Sequence, residues 1–263
     1  MSLRSVGAID LVDFDAICEY YGRDVLPYPF RFTQPTRFAS DDAARAYRTT
    51  VPDRLHHGDL SVFGECVAAY FGADIRVEYH VQHIPSDTAS GRVIACRQGQ
   101  FGFVLEQRPD SDVIDVSAVS PFDLGAAVSD AVPLTQPGRY QRIVVPKYRP
   151  RPQPDFDTND IQIFQPMDTP SEVMITEQEV SAYATVQSHW RPARNWGLER
   201  TKQSVLWIRV IDDGEYVFTP DAPYAVPMTQ PALRERIDRL ICDDIAVLRQ
   251  LRSDRIIQFC ASR

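Results

Sequence analysis

Apolar residues recur at helical spacing near the start of the chain and again near its end. Phe14, Ile17 and Tyr21 predict a first helix that stops at Gly22, with Asp13 as its cap. A polar helix is expected from Ser40 or Asp41 onward, and residues 62–71 present a broad apolar face. A long last helix is predicted after Thr229, with an apolar stripe formed by Leu233, Ile237, Leu240, Ile241, Ile245 and Leu248.

Between these helices the hydrophobic period changes from helical to alternating. In "DIRVEYHVQHI" the residues Ile75, Val77, Tyr79 and Val81 alternate with Arg76, Glu78, His80 and Gln82, which predicts a half-buried strand. A hairpin turning at Gln98-Gly99, a fourth strand over 113–119 and a helix from Pro121 follow. The same order of strand, hairpin and helix returns after residue 176, with Asp213-Gly214 at the second hairpin turn.

This repeated order predicts an α+β fold with two similar halves related by a pseudo-two-fold, each a largely antiparallel sheet with packed helices. We place the N-terminal half at 1–132, a Pro-rich connector at 133–170 and the C-terminal half at 171–263. A short strand in "RYQRIVV" is expected inside the connector, and "DIQIF" is an element of either type. Residue identities do not clearly repeat, so the order reflects either a diverged duplication or two α+β units that share it by chance.

The segment "LPYPF", residues 26–30, combines two prolines with three apolar or aromatic side chains. Proline removes an amide donor and pushes the preceding residue toward extended geometry. We therefore predict an extended strap whose side chains pack on the protein's own core. The alternative is direct contact with a partner.

The acidic composition disfavours nucleic acid as a general partner. The formal net charge is −8 and the pI is about 5.1, so the surface repels phosphate backbones. The chain has no apolar run of bilayer-spanning length, and its first residues lack the apolar core of a signal peptide. These features predict a cytoplasmic protein. Its five cysteines are scattered, which favours reduced structural thiols.

Catalytic and metal motifs are not recognisable. His80 and His83 lie three apart, so on a strand they face opposite sides of the sheet. His56-His57 are expected in solvent at a helix end, and His189 has no sequence-local acid or thiol partner. The chain contains no Gly-x-Ser-x-Gly elbow, phosphate-cradling loop or dinucleotide fingerprint. We therefore predict no enzyme activity, no metal and no cofactor, although a site assembled from distant residues stays open.

Two basic stretches, 139–152 and 191–202, carry aromatic residues as well as cations. Such mixtures bind single-stranded nucleic acid in other proteins. A regulatory or nucleic-acid-binding module is thus the alternative function. The acidic total favours a solvated linker and a long hairpin loop instead.

Four ordered features resemble the EspG family, the cytosolic chaperones of ESX (type VII) secretion in actinobacteria. They are the "LPYPF" run, the apolar helix and strand in "VFGECVAAYFGADIRVEYHV", the segment "PGRYQRIVVP", and the late block "LERTKQSVLWIRVIDDGEYVF". The resemblance implies a fold of two similar α+β halves. It also implies a non-enzymatic role in binding one end of a helical substrate, the PPE half of a PE–PPE pair, and keeping it soluble. The hairpin with Trp190, Arg191 and Trp196 does not match family members residue by residue, so a more distant helical-hairpin substrate is also possible.

By analogy with the family, the partner surface involves the sheet face and the C-terminal half. We expect partner contacts at Trp196 and Leu198 in the second hairpin loop and at Trp207 on the following strand, with Trp207 equally well explained as core. The charged face of the last helix, with Arg234, Arg236, Asp238 and Arg239, is either a solvated face or a binding rim; we select Arg234 and Asp238 as contacts. A monomer or weak homodimer is expected.

Overall fold

The computed structural model describes residues 3–84, 88–132, 134–144, 173–190, 198–199, 201–219, 222 and 224–261, with side chains in the last helix to residue 254. Within these residues the protein is α+β and contains an eleven-stranded, mostly antiparallel sheet. The strands are β1 Arg4–Asp10, β2 Ile75–His83, β3 Gly91–Gln98, β4 Phe101–Gln107, β5 Val113–Val119, β6 Ile143–Val144, β7 Val173–Met174, β8 Val180–Trp190, β9 Val205–Val210, β10 Glu215–Phe218 and β11 Tyr224–Pro227. The α-helices are α1 Leu11–Tyr20, α2 Asp41–Arg48, α3 Val51–His57, α4 Gly64–Phe71, α5 Leu124–Asp130 and α6 Gln230–Ala261.

Two antiparallel meanders meet at the centre of the sheet. The strand order β1-β5-β4-β3-β2-β8-β9-β10-β11-β6-β7 places β2 beside β8. These two strands pair from Ile75 opposite Trp190 to His83 opposite Ala182. The last strand of each meander is flanked by a strand that precedes the meander in sequence, β1 beside β5 and β6 beside β11. A helix then follows each meander, and the two helices, α5 and α6, pack together.

Each face of the sheet carries a hydrophobic core. On one face, α5 and α6 cover apolar residues of both meanders, including the stacked rings of Tyr79 and Trp207 with centroids 5.7 Å apart. On the other face, α1, α3 and α4 cover the first meander, and a smaller cluster around Ile208 and Tyr216 lies on the second. The predicted stripe of α6 is confirmed, since five of its six residues are buried and Ile245 packs against them.

The predicted strap packs on the first meander, as expected. Phe30 is buried, and its ring meets Phe14 edge to face with centroids 5.9 Å apart. Gln107 of β4 holds the following residue, accepting from the Arg31 amide at 3.1 Å and donating to the Arg31 carbonyl at 2.7 Å. The interpretation of the strap as structural is therefore confirmed for Phe30 and for the backbone at Arg31.

Two helix starts differ from the prediction. Asp10, not Asp13, caps α1 by accepting from the Val12 amide at 2.8 Å. Asp13 is instead buried, pairs with Arg54 at 2.9 Å and accepts from the Tyr47 hydroxyl at 2.6 Å. The helix expected from Pro121 begins at Leu124, because Asp123 first closes a turn with the Ser120 carbonyl.

The prediction that β2 is half-buried is wrong over most of its length. Arg76 and Glu78 are 6% and 2% exposed, because the helices of the first half cover their face as well. Their charges are compensated locally, with Arg76 Nη2 2.7 Å from Glu78 Oε1. On this face His80 is partly exposed, and Gln82, near the end of the strand, is exposed.

Cys18, Cys66, Cys96 and Cys242 are free thiols, of which the first three are buried. Burial raises the pKa of the Cys18 and Cys96 thiols to about 12. A thiol in this state is a poor nucleophile. These three cysteines therefore act as small core residues, as the sequence predicted.

Candidate functional site

The loop between β8 and β9 is attached to the sheet by a buried glutamine. The side chain of Gln187 donates to the carbonyl oxygens of Glu199 at 2.9 Å and Lys202 at 3.2 Å, and it accepts from the Glu199 amide at 2.7 Å. Gln187 is only 2% exposed. Because a buried amide must satisfy both its donor and its acceptor, these bonds define where the described part of the loop runs.

A second attachment joins the same loop to α6. Lys202 Nζ lies 2.6 Å from Asp244 Oδ1, and the Asp244 side chain is 4% exposed. The other oxygen of this carboxylate has no hydrogen-bond partner among the described residues. A buried carboxylate is costly unless it is paired, so Lys202 stabilises Asp244 in this position. The loop is thus held by Gln187 on the sheet and by Asp244 on the helix.

An open cleft of about 540 Å³ lies between α6 and the neighbouring ends of β9 and β10. Val205, Val217 and Leu240, each less than 10% exposed, form an apolar floor. The rim is polar and contains the three cations Lys202, Arg236 and Arg239, together with hydroxyl side chains from Thr201, Ser204 and Thr219. The cleft is therefore complementary to a bound molecule that places an apolar group on the floor and an acidic group at the cationic rim.

The three rim cations differ in their partners. Lys202 is paired with Asp244, and Arg239 Nη2 lies 3.0 Å from Glu235 Oε1. Within the residues described above, Arg236 forms no ion pair with a carboxylate. Arg236 is therefore the rim charge that is most available to a bound molecule.

The residues predicted to bind a partner take different positions around this cleft. Leu198 lies in the attached loop and is 40% exposed. Trp207 is 3% exposed and lies in the core below, on the strand that also carries Val205. Arg234 and Asp238 face each other at 3.8 Å, and each side chain is about half exposed. Trp196 lies outside the described residues.

Arg234 and Asp238 occupy the flank of α6 that faces α5, away from Arg236 and Arg239. A Cβ built on Gly125 of α5 would clash with the Asp238 carboxylate, so the two helices meet closely there. Burial raises the pKa of Asp238; Arg234 opposes the rise and Asp123 adds to it. The predicted pair and the cleft are therefore on neighbouring, distinct surfaces of the same helix.

From the sequence, Arg236 and Arg239 were predicted only as part of a charged helix face, and Gln187 and Asp244 were not predicted as functional or structural residues. A signal existed for Asp244, because it interrupts the predicted apolar stripe between Ile241 and Leu248. Gln187 had none, since a polar residue on a strand is ordinary on an exposed face.

The histidines are arranged largely as the strand pattern predicted. His80 and His83 project to opposite faces of β2, and His56 and His57 are exposed at the end of α3. His189 acquires a partner from a distant strand, with Nε2 3.5 Å from Glu78 Oε2. Among the described side chains, no group of three or more His, Cys, Asp or Glu residues could hold a metal ion.

Comparison with known proteins provides the family. A family model described as the EspG family matches residues 10–239. No curated protein matches the chain in sequence. In the described part of the chain, none of the helices combines the length and the apolar character that crossing a lipid bilayer requires. The family match runs from the end of β1 into α6 and includes the strap, both meanders and most of the cleft. The chain therefore belongs to the EspG family.

Proposed function

We propose that this protein is a cytosolic, non-enzymatic chaperone of an ESX (type VII) secretion system. It binds one end of a helical substrate, a PE–PPE pair or a related helical-hairpin protein, and keeps that substrate soluble and recognisable. The observation that carries the proposal is the cleft on α6, with an apolar floor and a cationic rim, in a chain of the EspG family.

The cleft has the chemistry that such a substrate requires. Exposed apolar residues at the end of a helical bundle promote aggregation unless another surface covers them. Val205, Val217 and Leu240 offer an apolar floor, and the polar rim can supply specificity. Arg236 has no ion-pair partner in the described chain, so it can receive an acidic side chain of the substrate in a charge-assisted hydrogen bond. Capture by these contacts involves no covalent step.

The earlier residue predictions extend this surface. We propose that Leu198 and Trp196 contact the substrate from the β8–β9 loop, and that Arg234 and Asp238 contact it from the adjoining flank of α6. Trp207 contributes from below by supporting the strand that carries Val205. Phe101 and Phe122, 52% and 80% exposed at the same end of the sheet, offer further apolar area.

We also propose that the two meanders are related by a pseudo-two-fold, and that the protein is a monomer or a weak homodimer. Support for the symmetry comes from connectivity, because each meander has the same strand order, flanking strand and following helix. The first part of the connector belongs structurally with the second half. Its Thr135 and Gln136 amides donate to buried Glu215, and β6 pairs with β11.

The alternative, a nucleic-acid-binding or regulatory module using 139–152 and 191–202, has less support. Arg139 Nε lies 3.1 Å from Asp213, and the Arg142 guanidinium lies 4.4 Å from the centre of the Tyr224 ring. These cations, like Lys202, are engaged within the fold. They are therefore less available to a phosphate backbone.

Co-expression tests the proposal. The tagged protein is produced with each PE/PPE-like or helical-hairpin protein encoded near its gene, and the eluate is analysed by size exclusion. We expect a soluble stoichiometric complex whose yield falls at least about tenfold with Arg236→Glu, because the substitution reverses the available rim charge. Arg249→Glu is the matched control, since Arg249 is exposed on α6 but does not line the cleft.

Two outcomes contradict the proposal. A complex that is unaffected by both Arg236→Glu and Leu198→Asp would place the substrate elsewhere on the protein. If no candidate forms a complex, but RNA or DNA binds with strong salt dependence that is lost on changing Arg139 and Arg142, the alternative is correct.

A further inference from the structure

A cluster of polar side chains, the Arg92 cluster, lies on the face of the sheet opposite the cleft. Arg92 of β3 is opposite His80 of β2, and His80 is opposite Thr185 of β8. The three side chains therefore form a row across neighbouring strands, with adjacent Cβ atoms about 5 Å apart. Tyr28 of the strap lies over this row, its ring centre 5.6 Å from that of His80 and its hydroxyl 3.4 Å from Thr185 Oγ1.

Among the described residues, Arg92 is a buried cation without a carboxylate counter-ion. The residue is only 9% exposed, and its Nη1 donates to the Ser90 carbonyl at 3.2 Å. Within the described residues no carboxylate lies within ion-pair distance of its guanidinium. Arg76, on the same face, is by contrast paired with Glu78 at 2.7 Å. Buried charges in proteins are normally paired or bind a ligand, so the exception at Arg92 indicates a missing anion.

Of the charged groups near Arg92, Arg31 adds to the positive charge and Asp110 partly offsets it. Burial and the neighbouring Arg31 lower the pKa of Arg92, and Asp110 opposes them. Burial and Arg92 together lower the pKa of His80 to about 4, so His80 is neutral at pH 7. The Arg92 cluster thus combines one buried cation, a second cation (Arg31) and one carboxylate (Asp110) nearby, a neutral imidazole and the hydroxyls of Tyr28 and Thr185.

We propose that Arg92 is a binding site for a carboxylate, supplied by an aspartate or glutamate side chain of a partner protein. A planar guanidinium presents parallel N–H donors that match the two oxygens of a carboxylate. Because the hydroxyls of Tyr28 and Thr185 are within hydrogen-bond distance of each other, one donates to the other and the second can donate to the same carboxylate. Arg92, Arg31 and Asp110 together carry a net charge of +1, which a singly charged carboxylate balances and a doubly charged phosphate exceeds. Since the Arg92 cluster and the cleft lie on opposite faces of the sheet, this contact is a second one that does not depend on the cleft.

NMR titration of the full chain tests the site without knowledge of the partner. The probe is acetyl-glutamate amide, and acetyl-glutamine amide is its uncharged control. The Arg92 Nε–H resonance, assigned by its loss in Arg92→Gln, should shift saturably with the acid at a Kd of about millimolar, as expected for a single small contact. It should not shift with the uncharged amide. Arg92→Lys should weaken binding several-fold, because lysine lacks the planar pair of donors.

The matched control is Arg108→Gln, because Arg108 is exposed and already paired with Asp115 at 2.7 Å; this variant should bind the acid normally. Thermal unfolding separates a binding role from a structural one. Arg92→Gln removes an unpaired buried charge, so its Tm should be unchanged or higher. The absence of a saturable shift at Arg92 would overturn the proposal, and a lower Tm of Arg92→Gln would then assign Arg92 a structural role. Inorganic phosphate binding at least tenfold more tightly than the acid would also overturn it, and would assign the Arg92 cluster to a phosphate.

Discussion

The pair between Lys202 and Asp244 attaches the β8–β9 loop to α6 and borders the cleft, so its removal is an informative perturbation. Lys202→Met leaves the Asp244 carboxylate, 4% exposed, without its counter-ion. Breaking a fully buried pair from one side costs about 3–5 kcal/mol. Lys202 itself is 22% exposed, so water can partly replace its ammonium. We therefore expect a loss of about 2 kcal/mol in the free energy of unfolding, below the fully buried range.

Asp244→Asn leaves an ammonium that can turn to solvent, so we expect a smaller loss of about 1 kcal/mol. The double variant should be more stable than the sum of the single losses predicts, with a coupling energy of about 1–2 kcal/mol. Urea denaturation at constant m-value measures these quantities. In a protein of this size the Lys202→Met loss corresponds to a fall in Tm of about 4–8 °C.

The matched control is the exposed pair between Arg239 and Glu235 on the same helix, with side chains 67% and 73% exposed. Removing its arginine should cost less than about 0.5 kcal/mol. If Lys202→Met costs no more than this control, or if the two single losses at Lys202 and Asp244 are additive, the pair does not hold the loop to α6.

Three further predictions follow from other parts of the fold. Gly214→Ala should lower the free energy of unfolding by about 2 kcal/mol or more, because its Cβ would lie 2.5 Å from the Gln136 carbonyl oxygen. Gly64→Ala, whose Cβ would have nothing within 4 Å, should be neutral or stabilising. Equal effects of the two variants in urea denaturation would refute this reasoning. Phe30→Ala should lower the free energy of unfolding by about 3 kcal/mol, because Phe30 is buried. Phe32 is 40% exposed, so Phe32→Ala should lower it by less than about 1 kcal/mol. Similar losses for the two variants would mean that the strap is not part of the core. Burial and Arg92 lower the pKa of His80 from 6.5 to about 4 in the folded protein. The stability that neutral His80 gives the folded state is therefore complete above pH 6.5 and is lost as the pH falls through 4. His80→Gln should therefore reduce the loss of stability between pH 7 and pH 4 by at most about 3 kcal/mol, and an unchanged pH profile would contradict the assignment.

Local pattern was sufficient for most helices and strands. The alternation in β2, the hairpin of β3 and β4, and the apolar stripe of α6 each depend on neighbouring residues, so they can be recognised in a single chain. β11 was not predicted, because it has four residues, ends in a proline and is stabilised by pairing with β10 and β6.

The hairpin predicted at Asp213-Gly214 is present, but the glycine is needed there for a reason other than the predicted turn preference. The hairpin exists, but the positive φ of 56° belongs to Asp212. Gly214 is required where the backbone of residues 136–138 passes closely over the hairpin. A turn preference is visible in sequence, whereas the close approach of a segment about 77 residues away is not.

By itself, the sequence determined the α+β class, the structural role of the strap and the EspG family, since each depends on local periodicity or on ordered motifs. Only the tertiary structure decided which polar residues are buried and which of them meet. It placed Glu78 beside His189, Asp244 beside Lys202, and Arg92 next to the His80 that Tyr28 covers, with no carboxylate counter-ion among the described residues. The physical reason is that elements distant in sequence determine which side chains are buried and which charges pair. The residues flanking a charged side chain in the sequence are the same whether that side chain is exposed to water or covered by another segment of the chain.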